Sequence, residues 1–174
     1  RNAVVIMTSN LGSQFIAEHA GDLVARLLEH IDSRGHGHRE LLFEPGRSLV
    51  GNAGVLLTEV LVTKHGTPKN FCIVDAAMND LLRPALYNAH HEVLPVKSPD
   101  VGAPRSMVDL VGPICESTDR FAKDRPMPPL KEGDLVAFMT AGAYGATLSS
   151  QYNSRPLVAE ALVRGDACVV VRRR

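Results

Sequence analysis

The tetrapeptide Glu44-Pro45-Gly46-Arg47 directly follows the apolar run Leu41-Leu42-Phe43. A short strand ending in a Pro-Gly turn gathers backbone N–H groups at one point, which is how proteins build anion pockets. Glu44 and Arg47 add an acid and a planar guanidinium, and a guanidinium meets a carboxylate through two parallel hydrogen bonds. Three further polar clusters follow in order: Arg83-Pro84-Ala85-Leu86-Tyr87, Cys115-Glu116-Ser117-Thr118-Asp119 and Gly142-Ala143-Tyr144-Gly145. Arg83 and Tyr87 stand four apart, so a helix would put them on one face. Proline disfavours helical geometry in the residue before it, which makes Arg83 an N-cap and Pro84 the opening residue. Cys115 and Glu116 come after Gly112-Pro113 and so sit on a turn, a thiol close to two carboxylates. Tyr144 lies between glycines, where the backbone can approach a ligand closely. Taken singly, each cluster has an ordinary reading: a surface turn, a surface arginine with a half-buried tyrosine, a buried cysteine, a core tyrosine.

The elements that must position these groups are short. Val4-Val5-Ile6-Met7 reads as a strand running into a polar turn. Leu23, Leu27, Leu28 and Ile31 form a helical stripe over residues 22–33, with Asp22 as N-cap and Gly35 and Gly37 ending it. A helix followed by a strand at 41–43 is one αβ step, as at the end of a (β/α) barrel. Past Gly54 the style changes. Segments 55–63, 70–75, 92–96, 107–111, 134–139 and 167–171 are β-branched and bounded by Gly, Pro or Asp, which predicts a β-rich sheet or barrel. One helix is expected around 84–90, and 123–133 reads as a polar, proline-rich connection.

Composition bounds the class of function. A chain of 174 residues with 45% hydrophobic content builds a core rather than remaining disordered. At this size about 70% of the unfolded surface is buried on folding. Nineteen basic and nineteen acidic residues cancel, and only Arg172-Arg173-Arg174 is a basic run, so a nucleic-acid partner is not expected. No apolar run reaches the length of a membrane span, and no secretory signal pattern appears. Three cysteines at 72, 115 and 168 have no metal-ligand spacing and suggest no disulfide framework, so a reducing cytoplasm is the expected setting. His36 with His38, and His90 with His91, lack a third ligand and are expected to bind no metal.

In their joint order and spacing, the four clusters closely resemble the C-terminal part of the diaminopimelate decarboxylase family, pyridoxal-phosphate enzymes of lysine biosynthesis. Val50-Gly51-Asn52-Ala53-Gly54-Val55-Leu56-Leu57-Thr58, Val74-Asp75-Ala76-Ala77-Met78-Asn79-Asp80 and Ser150-Gln151-Tyr152-Asn153-Ser154-Arg155-Pro156 support the resemblance, which runs from about residue 22 to the end. It implies a mainly β fold with some α: the C-terminal β-barrel or sandwich of a fold-type III decarboxylase, preceded by a truncated remnant of a (β/α)8 barrel. The implied divisions are a non-family segment 1–21, a terminal αβ piece 22–53 and a β-rich decarboxylase domain 54–174.

The same resemblance implies roles. Glu44, Gly46, Arg47 and Tyr144 would touch the cofactor, and Arg47, Arg83, Tyr87 and Glu116 the amino-acid substrate. Cys115, placed across a dimer interface, would give a proton to the carbon that CO2 leaves. Related ornithine enzymes carry aspartate at the position of Glu116, so glutamate favours diaminopimelate. Tyr152, Asn153 and Arg155 look structural and receive no catalytic role. The family is a homodimer, so a second copy or a missing barrel domain is the expected partner. The lysine that holds the cofactor in the family has no counterpart here, since Lys64, Lys69, Lys97, Lys123 and Lys131 lie in none of the matching motifs. The expectation is therefore a C-terminal fragment, silent by itself. The competing expectation is a non-catalytic β-rich module that dimerises or regulates. Residues 1–13 instead resemble the strand and Thr-Ser-Asn sensor of Clp-type AAA+ ATPases, but no Gly-x-x-x-x-Gly-Lys-Ser/Thr loop exists to bind nucleotide.

Overall fold

The computed structural model describes residues 3–6, 23–43 and 46–173. The expected N-cap Asp22, the acid Glu44 and the Thr-Ser-Asn segment lie outside the described residues. The chain divides into two compact units, residues 1–49 and 50–174.

In the first unit β1 (Ala3–Ile6), α1 (Leu23–Ser33) and β2 (Glu40–Phe43) make one βαβ step. The strands pair in parallel, with Ala3 opposite Glu40 and Ile6 opposite Phe43. The stripe foreseen over 22–33 is helical, with Leu27 and Ile31 half-buried. Gly35 ends the helix in a left-handed conformation, φ 76°, while the His36 N–H returns to the Ile31 carbonyl at 3.1 Å. A side chain at Gly35 would strain that turn. A short helix α2 (Gly46–Val50) and a 3-10 turn (Gly51–Ala53) follow.

The second unit is mainly β. Its strands are β3 (Leu56–Lys64), β4 (Asn70–Val74), β5 (Val93–Pro95), β6 (Ser106–Val111), β7 (Arg120–Met127) and β8 (Leu135–Phe138). They form a six-stranded sheet in the order β5-β8-β3-β4-β6-β7. The long strand β3 pairs with β8 through residues 56–59 and with β4 through residues 60–64, with a register break between Val60 and Val62. A bulge of this kind bends a strand. The bend curls the sheet into a half-barrel. In a flat sheet the four steps from β8 to β7 would span about 19 Å. Instead Phe121 of β7 and Phe138 of β8 stack at 4.5 Å between ring centroids. The enclosed core includes Val60, Val74, Leu110, Met127, Val136 and Phe138, each at most 2% exposed.

All neighbours in this sheet are antiparallel except β4 and β6, which run side by side in parallel with Asn70 opposite Val108 and Ile73 opposite Val111. Parallel neighbours need a crossover connection, and here it contains helix α3 (Arg83–Tyr87) and β5. The consequence matters for the site. The segments leaving β4 (residues 75–82) and β6 (residues 112–119) emerge at the same end of the sheet.

Three expectations need correction. Residues 123–127 are not a connection but the second half of β7, where Pro126 faces Met107. β7 is an edge strand, and an edge can hold a proline because its missing N–H breaks no ladder. The helix expected at 84–90 is shorter and starts earlier, with Leu82 rather than Arg83 at the N-cap, and it ends at Asn88 in left-handed geometry, φ 51°. The strand expected at 167–171 exists as β10 (Ala167–Arg172), but it pairs only with β9 (Glu160–Arg164), a strand the sequence did not reveal.

Candidate active site

The segment after β4 is built on buried polar side chains. Asp75 accepts the Thr58 hydroxyl and the Glu59 N–H, and Thr58 Oγ1 in turn accepts the Ala76 N–H at 2.9 Å. Asp80 accepts the Ala77 N–H at 2.9 Å, closing a tight turn around Asn79, which is 1% exposed. These bonds satisfy backbone groups that no strand or helix serves. They deliver the chain into α3, whose first residue is Arg83.

Arg83 is buried, 4% exposed, against the sequence-based reading of a surface residue for this position taken alone. Its guanidinium carbon lies 5.9 Å from the Tyr87 ring centre and 5.4 Å from the Tyr144 ring centre. The shared helical face of Arg83 and Tyr87 is therefore real, and Tyr144 joins them from a loop 57 residues beyond Tyr87. Two aromatic faces offset part of the cost of withdrawing a cation from water.

Tyr144 reaches this place because two backbone segments touch. The Gly142 N–H donates to the Gly51 carbonyl at 3.0 Å and the Ala141 N–H to the Gly54 carbonyl at 2.8 Å. A Cβ on Gly142 would collide with the Val50 carbonyl oxygen and sit 2.8 Å from Gly54 N, so only glycine permits the approach. Tyr144 itself is left-handed, φ 59°, with its side chain half exposed.

Cys115 and Glu116 sit on an exposed turn after β6, as their Gly112-Pro113 prefix predicts. What holds the turn is Asp119. Its carboxylate is 3% exposed and accepts two backbone N–H groups, from Ile114 and Met78, both at 2.7 Å. Burial pushes the Asp119 carboxyl above its usual range, and the two backbone hydrogen bonds only partly oppose that. The Met78 bond couples the segments that leave β4 and β6, which the parallel pairing brings side by side. Across from the turn, Tyr152 donates its hydroxyl to Glu116 Oε2 at 2.5 Å. Hydrogen bonding to Glu116 and its negative charge hold the Tyr152 phenol above the usual tyrosine range.

A groove of about 220 Å³ runs between α3 (Pro84, Ala85), the turn (Ser117, Thr118) and the start of β7 (Arg120, Phe121). The Arg83 helix and the Cys115 turn thus border one space. The 150–155 segment is fastened to Asn79, in the segment that leads to Arg83: the Asn79 amide donates to the Ser150 carbonyl at 3.1 Å, and its Oδ1 accepts Arg155 Nε at 3.1 Å. Tyr152 and Arg155, read from the sequence as structural, are the pieces that hold this frame to Glu116. The signal that they matter is absent from their own neighbourhood in sequence, since their partners lie 36 and 76 residues away.

Gly46 and Arg47 belong to the first unit, at the start of α2, with Arg47 half-buried. His36 and His38 are exposed, and His91 Nδ1 meets the Met139 carbonyl at 2.9 Å. Among the described residues no group of three or more His, Cys, Asp or Glu is placed to hold a metal. No described helix is long and apolar enough to cross a membrane.

Residues 6–142 match the family model for the pyridoxal-dependent decarboxylase C-terminal sheet domain. The chain is 50% identical to the diaminopimelate decarboxylase of Vibrio cholerae over 158 residues, covering 91% of this chain and 36% of that protein. It is 54% identical to that of Pseudomonas aeruginosa over 155 residues, 89% of this chain and 36% of the relative. A crystal structure of diaminopimelate decarboxylase from Helicobacter pylori complexed with L-lysine superposes with a TM-score of 0.69 at 45% identity, over 78% of this chain and 33% of that one. The chain thus spans about a third of the length of the relatives it matches. A mainly β, curled half-barrel matched over residues 6–142 makes this chain a member of the pyridoxal-dependent decarboxylase family, carrying its C-terminal sheet domain.

Proposed function

We propose that these residues form the substrate-recognition side of a diaminopimelate decarboxylase, converting meso-2,6-diaminopimelate to L-lysine and CO2. The observation that carries this reading is that a cationic element and an anionic one lie on segments leaving the same end of the sheet, joined by the Met78–Asp119 bond: Arg83 with two tyrosine rings, and Glu116 held by Tyr152. A substrate with an ammonium and a carboxylate at each end needs both. By their positions in the family motifs, Arg83 and Tyr87, and Arg47 of the first unit, are assigned to a substrate carboxylate and Glu116 to the ammonium of the far end. Pyridoxal phosphate, when bound, supplies the electron sink for the carbon that loses CO2. Departure of CO2 leaves an electron pair on that carbon, and Cys115 Sγ–H delivers the proton that completes the product.

The fit to the cofactor is partial. Tyr144 presents a half-exposed ring over a buried guanidinium, which suits a flat aromatic group, and Glu44, Gly46 and Arg47 are proposed on the phosphate side. No lysine fits. Lys69 is engaged by Asp109 at 3.0 Å and by Asp124 at 3.5 Å, and Lys64, Lys97, Lys123 and Lys131 lie in none of the motifs that match the family. The covalent lysine is assigned to the two thirds of the relatives that this chain does not span.

The 174-residue chain with pyridoxal phosphate and meso-diaminopimelate is expected to release no CO2. Joined to the N-terminal part of the Vibrio cholerae relative, it should release CO2 and lose that activity on Cys115→Ala. Release by the chain alone, or equal activity on ornithine, overturns the reading. A homodimer and a cytoplasmic setting are part of the same proposal. A second reading, a non-catalytic dimerisation module, draws on the β9–β10 hairpin, where Leu162, Val163, Val169, Val170 and Val171 are 58–67% exposed. The likeness of residues 1–13 to a Clp-type segment rests on those residues alone.

A further inference from the structure

A carboxylate that must recognise an ammonium group has to hold one orientation, and Glu116 starts badly placed for that. It lies on an exposed turn, where a long side chain keeps its rotamer freedom and water competes for both oxygens. The turn's anchor, Asp119, fixes only backbone N–H groups. Among the hydrogen bonds of the described residues, the Glu116 side chain is held by Tyr152, through Oε2.

Tyr152 is itself placed with care. It opens a 3-10 turn (Tyr152–Ser154) in which Asn153 and Ser154 both have φ 58°. The Ser150 just before it is clamped on both sides by Asn79, through Ser150 N–H to the Asn79 carbonyl at 2.9 Å and Asn79 Nδ2 to the Ser150 carbonyl at 3.1 Å. Just after it, Arg155 binds Asn79 Oδ1 and the Asp75 carbonyl. Asn79 and Asp80 are buried, 1% and 6% exposed. A half-exposed phenol is therefore mounted on a buried polar base shared with the segment that leads to Arg83.

We propose that Tyr152 is a positioning and specificity residue: its hydroxyl fixes Glu116 Oε2 and leaves Oε1 directed to the distal ammonium of the substrate. This rests on the decarboxylase reading above for the identity of that ammonium. Donation to an ionised carboxylate gives a short, strong bond. A substrate lacking the second ammonium gains nothing from the arrangement, so Tyr152 acts on recognition rather than on loss of CO2.

Two measurements test this. The chain has three tyrosines and no tryptophan, so a phenol titration followed by absorbance, wild type minus Tyr152→Phe, isolates Tyr152. Glu116→Gln should bring that titration down towards ordinary tyrosine, and an unchanged titration overturns the contact and the proposal together. In the enzyme completed with the Vibrio cholerae N-terminal part, Tyr152→Phe should raise KM for meso-diaminopimelate about tenfold with a smaller change in kcat. Equal losses in kcat and KM, or an unchanged KM, would reduce Tyr152 to a structural latch and overturn the role. A completed wild-type enzyme inactive on meso-diaminopimelate, with a Glu116-dependent phenol titration, defeats the decarboxylase reading and the positioning role while leaving the contact itself; the two failures are read separately.

Discussion

Asp109 and Asp119 are equally buried, 4% and 3% exposed, yet they are stabilised by opposite means. Asp109, in β6, meets the Lys69 ammonium at 3.0 Å and the Asp124 N–H at 2.7 Å. Burial pushes its carboxyl up, but the backbone hydrogen bond and the lysine together outweigh that and hold it below the usual range. Asp119, at the end where β4 and β6 deliver their loops, has backbone N–H groups as its hydrogen-bond donors, and its carboxyl rises. An ion pair organises the supporting part of the sheet. At the site end two backbone amides fix, through Asp119, the turn that carries Cys115, and among the described residues no ion pair with Asp119 is recorded.

The largest break of this comparison is Asp119→Ala. It strips the acceptor from two amides, and each buried donor left without a partner costs about 1–3 kcal/mol. Urea unfolding should show a loss of about 2–5 kcal/mol, and a loss under about 1 kcal/mol would mean the turn is held by something else. Next comes Gly142→Ala, which forces backbone rather than a flexible side chain to yield. It should cost about 1–3 kcal/mol and dislodge Tyr144 from Arg83, visible as a change in tyrosine absorbance.

Acidity sharpens the contrast, because the two aspartates have opposite linkage signs. Asp119 is raised from 3.8 on folding, so its contribution is full below that value and falls as pH rises through the higher folded value. Asp109 is lowered from 3.8, so its contribution is present above that value and is lost as pH falls through the lower folded one. Stability measured against pH should therefore lose its falling limb in Asp119→Asn. In Lys69→Met the rising limb should move to higher pH, since the lysine that holds Asp109 down is gone. A wild-type and Asp119→Asn pair with superimposable pH profiles would remove the assignment. The smallest effect belongs to the hairpin: Val170→Thr, on a strand exposed along its length, should change stability by less than about 0.5 kcal/mol.

Local chemistry was legible wherever it depended on near neighbours. Gly112-Pro113 placed Cys115 and Glu116 on a turn, and the four-residue spacing placed Arg83 and Tyr87 on one face. The polar and proline content of residues 123–133 misled, because whether Pro126 is tolerated in a strand depends on that strand lying at a sheet edge. Edge position is a property of the whole sheet. Tyr152 escaped for a related reason: nothing in Ser150-Gln151-Tyr152-Asn153 points to Glu116, and only the Asn79 clamp brings the two together.

The amino-acid order by itself determined the β-rich class, the turn that carries the thiol and the family to which the polar clusters belong, because these follow from periodicity, turn chemistry and short motifs. Tertiary structure alone decided that Arg83 is buried between two rings and that β4 and β6 run in parallel to one end. It likewise decided that the Tyr152 phenol holds the Glu116 carboxylate. Each of those is a contact between residues far apart in the chain, and such contacts arise from packing a common core rather than from any local preference.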